Sequence, residues 1–188
     1  AAATRPVIFM TNGNRVKDGS RLAEPCENLD EFIQQVSFFS TWIGGFGVWR
    51  EELEVARPLL ENHSQLIQVD ILCRQVASGK PAVVLFGNYF VSKQDFRADY
   101  NWAQVFGKHY LDTLRPYVDR GLLGKDTFEQ SKKEVLLRHI LPSYFNTKNV
   151  LAKTDFFHHL NDYLDDDYFY QAIEDRLPLL WRLSNPHN

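Results

Sequence analysis

Two short runs of uninterrupted apolar residues constrain this chain more than any other feature: "VIFM" at Val7–Met10 and "AVVLF" at Ala82–Phe86. Both are rich in β-branched residues. Each stops at a turn signal, "NGN" (Asn12 to Asn14) after the first and Gly87-Asn88 after the second. Runs of this length with such endings read as buried strands. The pairing expected of Val7–Met10 with Val83–Phe86 is parallel.

Helical patterns fill much of the rest. Asn28 is placed to cap "LDEFIQQV", whose Leu29, Phe32, Ile33 and Val36 share one face. "SQLIQVDILCRQVASG" carries Leu66, Ile67, Ile71 and Leu72 on one stripe, and Gly79 is a stop signal. "REELEVARPLLE" has helical character up to Pro58, which should kink or end it. Residues 12–28 are polar and turn-rich and read as a loop or loose hairpin. Beyond residue 100 the pattern is helical throughout. "NWAQVFGKHYLDTLRPYVDRG" ends at Gly121, and "DTFEQSKKEVLLRHIL" opens with Asp126 and Glu129 at capping-box spacing. "TDFFHHLNDYL" and "DYFYQAIEDRLPLLWRL" complete the tail. The expected fold class is therefore α/β with a helical C-terminal subdomain: residues 1–95 form the α/β part and 96–188 the helical part packed on it.

Composition narrows the function classes. A formal charge of −3 without a long basic block leaves no electrostatic footprint for nucleic acid. Cys26 and Cys73 are the only cysteines and form no CxxC pair, so a disulfide framework or zinc site is not expected and a reducing compartment is. No apolar run reaches membrane-span length and no stretch reads as a signal peptide. A cytoplasmic protein is expected, with at most peripheral contact at the inner face of the membrane through "RLPLLWRL". The chain opens on "AAATRPVIFM", without Met, so residue 1 is not read as a natural beginning.

"FFSTWIGGFGVWREEL", Phe38 to Leu53, sets two tryptophans around three glycines. It is expected to be a strand or strand pair broken at Gly44-Gly45. Such glycines let backbone approach a ligand, with Trp42 or Trp49 stacking on a sugar ring; a bulge or tight turn beside a core tryptophan is the commoner use. Asp70 lies between Val69 and Ile71 in an apolar helical stretch, where a carboxylate is paired, capping, facing solvent or poised as a base. The acidic triplet Asp165 to Asp167 has the chemistry of a hard-cation ligand, but aspartates at a helix start more often complement its dipole. His158 and His159 are adjacent and leave on different faces, which does not suit a metal pair.

Taken in order, "VIFMTNGN", the short helix, "FSTWIGGFGVWREEL", "SQLIQVDIL", "GKPAVVLFGNYF" and the helical tail resemble the second half of a family-two glycosyltransferase. The fold such a family implies is GT-A, and the nearest members are abequosyltransferase-like enzymes of bacterial surface-polysaccharide synthesis. The resemblance covers most of the chain and rests on order and texture. It implies a nucleotide-sugar donor, a divalent metal (Mg or Mn) in the intact enzyme, and a glycan acceptor. It implies Asp70 as the general base of an inverting transfer. It implies Trp42, Gly44, Gly45 and Trp49 as the acceptor side and floor of the sugar pocket, and Asn88 as a substrate contact. No residue of this chain is implied as a metal ligand. The family's nucleotide-binding half precedes the strand with which this chain begins. The chain is therefore expected either to be part of a longer enzyme, binding donor nucleotide weakly or not at all, or to have been put to another use. Two alternatives stand beside this: a non-catalytic α/β plus helical interaction module, and a hydrolytic enzyme using Glu61, Asp70 and Lys80.

Overall fold

The structure is a computed structural model that describes residues 5–12, 23–47, 49–52, 54, 66–87, 89, 101–146, 156–160 and 162–163. The two apolar runs form the centre of a mixed sheet. Strand β1 (Val7–Asn12) pairs in parallel with β4 (Ala82–Gly87), in register from Val7 opposite Ala82 to Asn12 opposite Gly87. Strand β2 (Ala23–Cys26) adds antiparallel to β4, and β3 (Phe46–Gly47) adds antiparallel to β1. The resulting four-stranded order is β2-β4-β1-β3. Val7, Phe9, Thr11, Ala82, Val84 and Phe86 are buried, while Ile8, Met10, Val83 and Leu85 on the other face are half-buried. A strand sheltered on both faces needs apolar residues at successive positions, so these two runs do not alternate with polar residues.

Helix α1 (Leu29–Val36) covers the buried face. Asn28 Oδ1 accepts the Glu31 N–H at 2.9 Å, and Glu31 Oε2 reaches back to accept the Glu27 N–H at 2.9 Å. This is a capping arrangement that satisfies two donors at the helix start. Leu29, Phe32, Ile33 and Val36 are all buried, and Phe32 meets Phe9 edge-on with ring centroids 6.2 Å apart. Helix α2 (Ile67–Ala77) lies beside α1 and ends at Gly79, whose φ of +85° suits a residue without Cβ.

The stretch expected as a strand pair folds otherwise. Ser37–Thr41 and Ile43–Gly45 are 3-10 turns, and only Phe46–Gly47 is strand. Hydroxyls set this outcome: Ser40 Oγ donates to the Ser37 carbonyl and Thr41 Oγ1 to the Phe38 carbonyl, each at 2.7 Å. Such short-range bonds compete with a ladder and hold the chain in turns. Ser37 begins the reversal with φ 47° and ψ −139°, a backbone region that favours glycine. Its hydroxyl stands 3.4 Å from Ser131 Oγ, a weak contact to set against that strain. Ser37→Gly should therefore raise stability by about 1 kcal/mol in urea unfolding.

Among the described residues beyond 100 the chain is mainly helical, as expected there, and the tail from 164 to 188 lies outside the described residues. A π-helical segment, Ala103–His109, runs into α3 (Tyr110–Asp119), and the helix stops at Gly121 with φ +69°. Helix α4 (Lys125–Val135) continues through a second π-helical segment, Leu136–Ile140, into α5 (Leu141–Asn146). Helix α6 (Phe156–Leu160) follows. Asp126 and Glu129 do not form the expected capping box, because α4 starts at Lys125 after Gly124 and Asp126 lies within its first turn. The Gly124 N–H instead donates to Asp30 Oδ1 of α1 at 2.9 Å. One apolar cluster runs from Val7 to Leu160 and draws on both halves of the sequence. Among the described residues, no helix is long and apolar enough to cross a membrane.

Candidate functional site

The residues singled out in the sequence fall in three places. Trp42, Ile43 and Gly44 form an exposed turn; Trp42 is 41% and Ile43 74% exposed. Phe39 backs this turn, with its ring edge-on to Trp42 at 6.1 Å. The Gly45 N–H closes the turn on the Trp42 carbonyl at 3.0 Å. Gly45 itself is buried against β1: a Cβ there would stand 3.0 Å from Phe9 Cζ and 3.1 Å from the Met10 carbonyl. The close approach that this glycine permits is thus to Phe9 and Met10, whereas Gly44 has open space around it. Gly45→Ala should cost about 1–3 kcal/mol by overpacking and Gly44→Ala much less, a contrast that parallel urea melts would read.

Trp49 goes elsewhere. Its indole N–H donates to the Pro6 carbonyl at 3.0 Å, and the Arg5 guanidinium lies 5.1 Å from its ring centroid. Gly47 and Phe46 run back along β1 from Phe9 to Ile8, so Trp49 is carried to the start of β1 while Trp42 stays near Met10. The two tryptophans do not share a site. Asn88 lies outside the described residues, as do Glu61 and the Asp165 to Asp167 triplet.

Asp70 sits in the first turn of α2. Its Oδ1 accepts the Tyr117 hydroxyl at 2.7 Å and its Oδ2 accepts Arg74 Nε at 2.7 Å, with 21% of the side chain exposed. The Tyr117 hydroxyl also lies 3.2 Å from the Asp70 carbonyl. Burial, reinforced by Cys73 and Asp70, holds the Tyr117 phenol above the ordinary tyrosine range, so it stays a donor. Gln68, two positions earlier, makes the link to the exposed turn: its Nε2 donates to the Thr41 carbonyl at 2.9 Å. Residues two apart on a helix diverge by about 200°, so Gln68 faces Thr41 while Asp70 faces Tyr117. The start of α2 and the Trp42 turn are adjoining features, joined through Gln68.

Lys80 forms an ion pair with Glu52 and lies beyond the far end of α2 from Asp70. Ten helical residues span about 15 Å, so the described residues do not assemble a hydrolytic pair from Asp70 and Lys80. His158 is exposed and His159 half-buried, their rings 5.7 Å apart. Both cysteines are buried and free; burial pushes the Cys26 thiol up to about 11. Among the described residues, no three His, Cys, Asp or Glu side chains converge as a metal site requires.

The sequence singles out Asp70 and Trp42 but not the residues they contact in the fold. Arg74 was legible as the i+4 partner of Asp70. Tyr117 and Gln68 carried no local signal, since each makes its contact across the fold. No protein-family model, curated protein or solved structure matches this chain.

Proposed function

We propose that this chain is the acceptor-side part of an inverting glycosyltransferase of GT-A type, moving a sugar from a nucleotide-sugar to a glycan hydroxyl in surface-polysaccharide synthesis. The observation that carries the reading is the tie between the acid-bearing helix and the exposed tryptophan turn, through Gln68 and Thr41. Helix α2 leads through Ser78–Pro81 directly into β4, which runs parallel to β1. A short return of this kind sets the N-terminal turn of α2, with Asp70, toward the carboxyl ends of the strands. Open α/β sheets bind their ligands at that edge.

In this reading Trp42 covers the apolar face of a sugar ring, and Gly44 leaves the backbone beside it unobstructed. The acceptor hydroxyl attacks the anomeric carbon as the bond from that carbon to the donor diphosphate breaks. Because Gln68 faces the turn and Asp70 faces Tyr117, the reacting hydroxyl belongs to a sugar further along the glycan than the ring on Trp42; its proton passes to the Asp70 carboxylate, and the diphosphate leaves with the bonding pair. Tyr117 and Arg74 orient the carboxylate. Neutralising the leaving diphosphate falls to the nucleotide-binding half that the resemblance implies.

A second reading, a non-catalytic interaction module, is favoured by a different observation: both Asp70 oxygens already accept hydrogen bonds and Gly45 is occupied by Phe9. Incubating the full-length protein with a panel of nucleotide-sugars and oligosaccharide acceptors, with products followed by mass, separates the two. Glycosyl transfer supports the first reading. Free acceptor and intact donor throughout support the second.

A further inference from the structure

One of the two π-helical segments carries a half-buried histidine for which neither reading has a use. His139, in Leu136–Ile140, stacks on Phe38 with centroids 5.0 Å apart and planes 23° from parallel. Phe106 meets the same ring at 4.4 Å in an edge-to-face contact, and Trp102 lies 5.0 Å away. Trp102 and Phe106 belong to the turn entering Ala103–His109 and to that segment itself. Its Nε2 is buried and has no hydrogen-bond partner among the described residues. The two segments meet closely: a Cβ on Gly107 would come within 3.2 Å of Ile140 Cδ1.

A neutral imidazole suits this box. An imidazolium does not, because it must carry a hydrogen on Nε2, where no acceptor is at hand. Aromatic faces attract a cation, but this attraction is weaker than the penalty for burying an unpaired charged donor. Among the described residues, no charged side chain shifts the His139 ring. Ser37–Thr41 has no ionisable side chain. In Ala103–His109, Lys108 is engaged by Asp162 and Asp112, and His109 is influenced by Asp112, Lys108 and His159. On the histidine's own helix Arg138 lies 3.8 Å from Glu134, Lys132 pairs with Glu129, and α5 carries Tyr144. Burial alone acts on His139 and drives its pKa down to about 4.

We propose that His139 is a proton-operated latch: neutral, it holds Ala103–His109 against Leu136–Ile140, and protonated, it releases the two segments while the sheet stays folded. π-Helical turns are rare and recur at functional positions, and here both segments meet at a ring that can take up a proton.

Hydrogen exchange on the intact protein, read peptide by peptide at pH 6.5 and pH 4.5, tests this. Once corrected for intrinsic rates, protection across 103–109 and 136–140 should fall about fortyfold at the lower pH, with far less change in Val7–Asn12 and Ala82–Gly87. His139→Phe should abolish most of that fall. Equal loss in the sheet, no loss at all, or the same loss in His139→Phe would overturn the latch. Should that variant fail to fold, the wild-type His139 ring resonances decide: titration near pH 4 to 5, together with the opening, supports the latch, and titration near 6.5 overturns it.

Discussion

Phe32→Ala should lower the free energy of unfolding by about 3–5 kcal/mol, read as a shift of the urea midpoint at unchanged slope. Phe32 is fully buried and sits where helix α1 meets the sheet, edge-on to Phe9. Phe9 in turn closes on Gly45, so one ring connects the central strand, the first helix and the tryptophan turn. Truncating Phe32 removes the ring that packs on Phe9 and opens a cavity between helix α1 and β1. Trp42→Ala offers the contrast: that ring is 41% exposed, and its loss should cost under about 1 kcal/mol. If the two variants prove equally destabilising, the placement of Phe32 at the centre of the core is wrong.

Asp70→Asn should lower glycosyl transfer by about 10²–10⁴-fold, the range for loss of a positioned base. Stability should barely move. The asparagine oxygen can still accept from Tyr117, and the lost Arg74 contact joins a half-exposed guanidinium to a carboxylate, a pair worth about 0–1 kcal/mol. Tyr117→Phe should behave differently, because it leaves Asp70 Oδ1 without its nearest donor. About 1–2 kcal/mol of stability should be lost along with part of the activity. A purely structural Asp70 would reverse this order, with the melting temperature falling and transfer rates intact.

The sheet was legible because its strands announce themselves locally. Val7–Met10 and Ala82–Phe86 needed only apolar continuity and a turn signal, and the Asn28 cap needed only residues three apart. The tryptophan stretch was not legible for the opposite reason. Its aromatic and β-branched content suits a strand, but Ser37, Ser40 and Thr41 divert the backbone into 3-10 turns through their hydroxyls. Gly45 looked like room for a ligand because nothing in its neighbourhood of sequence mentions Phe9. The same holds for Asp30, which caps α4 from far away in the chain and displaces the box expected at Asp126. Asp70 could be picked out as an acid in an apolar helix. Its engagement by Tyr117 could not, since the two meet only after α2 and α3 dock.

The proposed transfer requires a sugar ring seated on the Trp42 turn beside the start of α2. Titrating isotope-labelled protein with oligosaccharides of surface polysaccharides, and following backbone and indole resonances, tests it without requiring a donor. Saturable shifts should concentrate at Trp42, Ile43, Gly44, Gln68 and Asp70 and be abolished by Trp42→Ala, with the Trp49 indole unmoved. Absence of saturable binding, or shifts centred on Trp49 and Arg5 instead, would contradict it.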